Sequence, residues 1–164
     1  MGEAAPSPGS SSAPTSPRSA AAPLVPLRTC VVVEDVQSNS QFFVRLLKRR
    51  GVETVHVAAD GFAALSLFGE LAPAQKAEVQ CWFIDKEMPG CDGHELAWRL
   101  RGLGVREPII GVSGNALAED RRLFVEAGAS AAIPKPVRAE HIEAVLLEFG
   151  LGFERAAAAT AIAE

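Results

Sequence analysis

The sequence predicts an α/β fold: a doubly wound, five-stranded parallel sheet in a single domain, with helices on both faces. Three observations predict it. Short apolar runs alternate with helical stretches five times between residues 28 and 149. The clearest runs are apolar throughout, which is how strands buried on both faces read. Three of the runs also end in an acid or a hydroxyl, and the last leads into a lysine. Ligands of open α/β sheets bind beyond the carboxyl ends of the strands, so this placement suits a site.

The elements follow in order. Thr29 to Val33 is a β-branched run that ends at Glu34-Asp35. Ser38 to Arg50 reads as a helix, with Phe42, Phe43, Leu46 and Leu47 on one stripe. Its basic last turn, Lys48-Arg49-Arg50, and Gly51 suit a helix C-terminus. Thr54 to Ala58 is the second strand, and Asp60-Gly61 opens a short helix from Phe62 to Phe68. Leu71 to Glu78 reads as a loose connection, and the stretch from Gly69 to Glu78 as a surface insertion. Val79 to Asp85 is the third strand and Glu95 to Arg101 a helix. Pro108 to Ser113 is the fourth strand, and Ala116 to Ala127 a helix stopped by Gly128. Ala131 to Ile133 is a short fifth strand leading into Pro134-Lys135-Pro136. Ala139 to Glu148 is the last helix, with Ile142, Val145 and Leu146 facing inward.

The rest of the composition excludes several classes. The chain has 164 residues, one domain's worth, and a formal charge of -4. A nucleic-acid binder held by phosphate contacts is expected to be basic. Cys30, Cys81 and Cys91 are odd in number and lack metal-site spacing, so they read as small buried thiols. His56, His94 and His141 have no spacing partner for a metal. No apolar stretch approaches the ~18 residues that span a bilayer. Residues 1–27 form a Pro/Ser/Ala-rich leader, read as disordered. The leader lacks the basic start and apolar core of a secretory signal. It is poor in acid, as organelle transit peptides are, but only weakly basic; a cytoplasmic location is expected. Residues 150–164 read as an Ala-rich tail or helix extension.

Glu34 and Asp35 follow the first strand, Asp85 ends the third, Ser113 ends the fourth and Lys135 follows the fifth. Taken singly, each acid reads more simply as a helix cap or a loop residue, Ser113 as a cap of the helix that starts near Asn115, and Lys135 as a surface lysine. Taken together, carboxylates converging on one rim repel each other and need a cation. A small cluster of hard oxygen ligands suits Mg2+. A lysine and a hydroxyl beside them would meet an anion. The combination reads as a site for a phosphoryl group on Asp85.

The pieces that carry a resemblance are Val31 to Asp35, Ala59-Asp60-Gly61, Ile84 to Gly93, Pro108 to Ala116, Glu126 to Ala129 and Pro134-Lys135-Pro136. Over residues 28–149 the chain resembles the response-regulator receiver domains of two-component phosphorelays. The resemblance implies a flavodoxin-like sheet of order 2-1-3-4-5. It implies that Asp85 accepts a phosphoryl group from a histidine kinase or a histidine phosphotransfer protein. Asp35 would bind Mg2+ directly, with Glu34 beside it and the backbone carbonyl of Glu87 as a further ligand. Ser113 would be the switch hydroxyl and Lys135 the partner of the phosphoryl group. The Lys135-Pro136 link would be cis. Such domains catalyse only their own phosphorylation and dephosphorylation, so no enzyme turning over a metabolite is expected. A downstream protein would read the face of the fourth and fifth strands and the last helix.

The sequence departs from the family at a few places. Glu34 is a methylene longer than the usual aspartate and could reach the metal through a water. Ser113 stands for the commoner threonine. Ala132 stands where many members carry Tyr or Phe, the ring that reports phosphorylation. This gap supports an alternative: a receiver-like interaction module with weak or no phosphate-driven switching. A third reading, a hydrolase with an aspartate nucleophile, finds only Glu87 where a second Asp is expected.

Overall fold

A computed structural model describes residues 22–154 except Ala116. The leader reading of residues 1–21 and the tail reading of residues 155–164 lie outside the described residues. The elements are β1 (Val25–Pro26), β2 (Thr29–Val33), α1 (Gln37–Arg49), β3 (Thr54–Ala58), α2 (Gly61–Glu70), α3 (Pro73–Glu78), β4 (Cys81–Asp85), α4 (Gly93–Gly102), β5 (Ile109–Ser113), α5 (Ala118–Ala127), β6 (Ala131–Pro134), α6 (Ala139–Glu148) and β7 (Leu151–Gly152).

Five strands form one parallel sheet in the order β3-β2-β4-β5-β6. In the numbering of the five long strands this is the expected 2-1-3-4-5. The inner strands β2, β4 and β5 are buried at every position. Alternate residues on each strand serve opposite faces. Cys30, Val32, Cys81, Phe83, Ile110 and Val112 pack with Phe43 and Leu47 of α1 and Ile142, Val145 and Leu146 of α6. Val31, Val33, Trp82, Ile84 and Ile109 pack with Ala64 of α2, Leu96 and Leu100 of α4, and Phe124 of α5. The all-apolar pattern holds only for these inner strands. Edge strand β3 buries Ala58 fully and leaves Thr54 and Val57 exposed.

All three cysteines are free and buried. Burial pushes the Cys30 thiol up to about 12. A group so far from ionisation is packing, as expected.

Four sequence readings need correction. Phe42 falls by spacing on the apolar stripe of α1, but it is exposed; only Phe43 and Leu47 of that set are fully buried. A helical stripe spans too narrow an arc to bury adjacent residues equally. The loose connection contains α3, started by Pro73 at its first position and by a Gln75 side chain that accepts from the Ala72 amide at 2.9 Å. Proline at that position gives up no helical hydrogen bond. The helix after β5 starts at Ala118 with Leu117 still outside it, because Ser113 Oγ takes the Asn115 amide and Asn115 Oδ1 takes the Leu117 amide. Finally, packing extends past residues 28 and 149: Leu27, Leu151 and Phe153 belong to the core on the α1 and α6 side. Strands β1 and β7 pair in parallel, with the Val25 amide on the Gly150 carbonyl and the Leu27 amide on the Gly152 carbonyl. Gln80 ties this ribbon to the sheet, accepting from the Arg28 amide at 2.7 Å and donating to the Pro26 carbonyl at 2.9 Å.

Candidate functional site

The sheet order puts the site where it is. From β2 the chain runs outward to β3, then returns across the sheet to β4. The connections after β2 and β4 therefore diverge to opposite faces and leave a crevice between adjacent strand ends. Glu34 and Asp35 leave β2 there, and Asp85 is the last residue of β4.

Carboxylate oxygens of Glu34, Asp35 and Asp85 lie within 4.8 Å of one another. Glu34 and Asp85 are buried and Asp35 is exposed. The simpler cap reading fails for all three. The first turn of α1 is capped at Val36 without a side chain. The acids that do cap helices are Asp60, accepting from the Ala63 amide at 2.7 Å, and Asp92, accepting from the Glu95 amide at 2.9 Å. Glu34 instead accepts from the Val36 amide at 3.1 Å, and Asp85 from the Glu87 amide at 3.3 Å. These bonds fix each carboxylate toward its own loop.

Lys135 reaches in from beyond β6. Its Nζ lies 2.9 Å from Asp85 Oδ1 and 3.6 Å from Glu34 Oε2. The Lys135-Pro136 peptide is cis. Burial pushes the Glu34 carboxyl up, and the Asp85 charge adds to this; the Val36 amide and the Lys135 ammonium oppose them. Partial burial works to lower Lys135, but the hydrogen bond and charge of Asp85, together with Glu34, outweigh it and raise the ammonium. Two buried carboxylates share one ammonium, so the rim carries more negative than positive charge. A divalent cation complements such an excess, and the all-oxygen donor set fits Mg2+ rather than a softer metal.

Ser113 ends β5 and is buried, one step beyond the Val112 that pairs with Asp85. Its hydroxyl donates to Asp120 Oδ2 at 2.9 Å and accepts from the Asn115 amide at 3.1 Å. The other oxygen of Asp120 takes an ion pair from Lys86. That bond from Lys86, and then the Ser113 hydroxyl, hold the Asp120 carboxyl below the usual carboxylate range. Sequence reading missed Asp120 and Lys86. The available signal was an acid in the first turn of the helix that follows the Ser113 loop, opposite a lysine next to Asp85. The Glu87 side chain is exposed; what it turns toward Asp85 is its amide.

Glycine lets the rim close. A Cβ at Gly93 would stand 2.5 Å from the Asp85 carbonyl oxygen and 2.9 Å from the Phe124 ring. A Cβ at Gly111 would strike the same ring at 2.5 Å. Phe124 therefore fills space that these glycines vacate, packing α5 against β5 and the first turn of α4.

Comparison with known proteins gives a consistent result. The response regulator receiver domain family matches residues 30–147. The two-component response regulator ORR41 of Oryza sativa is 34% identical over 122 residues, covering 74% of this chain and 93% of that protein. The sensor histidine kinase RcsC of Escherichia coli is 33% identical over 116 residues, which is 71% of this chain but 12% of the kinase. Among solved structures, the receiver domain of the histidine kinase CKI1 from Arabidopsis thaliana, complexed with Mg2+ and BeF3-, matches with a TM-score of 0.63. It is 28% identical, and the match covers 74% of this chain and 92% of that one.

Proposed function

We propose that this chain, which belongs to the response regulator receiver family of two-component systems, accepts a phosphoryl group on Asp85 from a phosphohistidine donor. The donor is a histidine kinase or a histidine phosphotransfer protein. The observation that carries the reading is the convergence of Glu34, Asp35, Asp85 and Lys135 at the rim between β2 and β4.

In the proposed transfer, an Asp85 carboxylate oxygen attacks phosphorus in line. The phosphorus–nitrogen bond of the donor breaks, and the imidazole leaves with the electron pair and takes up a proton. The product is an acyl phosphate on Asp85. Lys135 neutralises charge on the phosphoryl oxygens, and Ser113 donates to one of them. Glu34, Asp35, Asp85 and the Glu87 carbonyl would hold Mg2+, which when bound offsets the negative charge of the attacking carboxylate and the phosphoryl oxygens. Water in the same site later hydrolyses the acyl phosphate. The chain so catalyses only its own modification and turns over no metabolite. A groove of about 440 Å³ lined by Glu34, Asn39, Phe42, Lys135, Pro136 and Val137 offers the donor an approach to the rim.

The test is incubation with acetyl phosphate and Mg2+, read by intact mass. The reading expects one phosphoryl group on the chain and none on Asp85→Asn. No mass gain at saturating donor favours a second reading, a receiver-shaped interaction module. The observation behind that second reading is Ala132, a half-buried methyl on edge strand β6 where an aromatic reporter would sit. Among the described residues no helix is long and apolar enough to cross a membrane.

A further inference from the structure

We infer that Asp120 is a positioning residue for Ser113: in the resting chain its carboxylate, braced by Lys86, takes the hydrogen bond of the Ser113 hydroxyl and holds it back from Asp85. The inference rests on the phosphoacceptor reading above and adds to it what the hydroxyl must leave.

A serine hydroxyl has one proton to donate. In this structure that proton is committed to Asp120 Oδ2 at 2.9 Å, with the Asn115 carbonyl as a longer alternative at 3.4 Å. The bond to a carboxylate is charge-assisted, hence among the stronger ones a hydroxyl can make. Both residues are buried, at 5% and 8% exposure, so water competes little for either end. The second oxygen of Asp120 is held by Lys86, the residue that follows Asp85. The three side chains form a strut from the loop after β4, through the first turn of α5, to the end of β5. The strut also occupies the Lys86 ammonium, leaving Lys135 as the cation on Asp85. For Ser113 to donate to a phosphoryl oxygen, it must give up Asp120. The strut therefore sets how readily the phosphorylated arrangement forms.

The test is a double-mutant cycle on the full chain, reading the affinity for beryllofluoride with Mg2+ as a phosphoryl mimic. Asp120→Ala frees the hydroxyl and is expected to tighten binding about fivefold, the scale of one charge-assisted hydrogen bond partly replaced by water. The same change in a Ser113→Ala background is expected to alter binding less than about twofold, since no hydroxyl remains to be released. Asp120→Asn keeps a weaker, neutral acceptor and shifts affinity the same way by less. It carries the test if the alanine chain does not fold. Equal tightening in both backgrounds would mean that Asp120 acts only through its charge, and overturns the inference. So does an Asp120→Ala chain that binds like the wild type. Wild-type chain that binds no beryllofluoride overturns the phosphoacceptor reading itself, and this inference with it.

Discussion

The Nζ of Lys135 lies 2.9 Å from Oδ1 of Asp85, so the ammonium sits on the carboxylate proposed to accept the phosphoryl group. One cation on one oxygen gives two opposed expectations. Lys135→Ala removes a charged donor from the phosphoryl group and should weaken beryllofluoride binding by about 10- to 100-fold. It also removes a competitor for the carboxylates, so Mg2+ alone should bind more tightly, on the order of fivefold. Calorimetric titration of each ligand checks both signs. Weaker binding of both ligands would contradict the account, since it would mean that Lys135 organises the carboxylates rather than competing for them.

The closeness of α4 to the site gives a stability prediction. A Cβ at Gly93 would stand 2.5 Å from the Asp85 carbonyl, which is backbone and cannot swing aside. Gly93→Ala should therefore destabilise the chain by about 1–3 kcal/mol, the usual range for overpacking. Urea unfolding measures this; an unchanged midpoint would mean that the loop after β4 yields freely.

Arg101 staples α4 to the loops around β5. Its guanidinium donates to the Val105 and Glu107 carbonyls at 2.9 Å each, to the Gly128 carbonyl at 2.8 Å and to Ser130 Oγ at 3.0 Å. Arg101→Ala leaves several acceptors without a partner and should lower stability by about 2–3 kcal/mol. Arg101→Lys, a point charge that cannot span four acceptors, should recover little of it. Thermal unfolding of the two variants checks the order.

Asp120 gives a pH prediction. The Lys86 ammonium first, and the Ser113 hydroxyl second, hold its carboxyl below the usual range. Folding therefore favours the ionised form. The stability it contributes is fully present above the ordinary aspartate value of about 4, and is lost as pH falls through the depressed folded value. The stability gap between wild type and Asp120→Asn should narrow from about pH 7 to about pH 3. A gap that stays constant in urea unfolding at the two pH values would contradict this.

Much of this was legible in the chain, for reasons that differ by residue. The inner strands were clear because burial on both faces forces uninterrupted apolar runs such as Cys81 to Ile84. Glu34, Asp35 and Asp85 were legible because strand ends are fixed points of a parallel sheet, and topology alone brings them together. The exposure of Phe42 was not legible because the apolar stripe of α1 is wider than the face the helix presses on the sheet. The β1–β7 ribbon was invisible because two strands of two residues leave no period to see, and the Gln80 side chain that ties β1 to the sheet lies 54 residues along the chain from Pro26. The Ser113–Asp120–Lys86 strut escaped notice because it depends on side-chain reach between two loops, which spacing does not encode.

The central claim is that Asp85, among the three clustered acids, carries the phosphoryl group. Borohydride reduction after phosphorylation tests it most directly, because hydride converts an aspartyl phosphate to homoserine and leaves phosphoserine and phosphohistidine unreduced. Peptide mass mapping should find homoserine at position 85, with Asp35 and the other acids intact. Homoserine at position 35 instead, or a phosphorylated chain with none at all, would contradict the account.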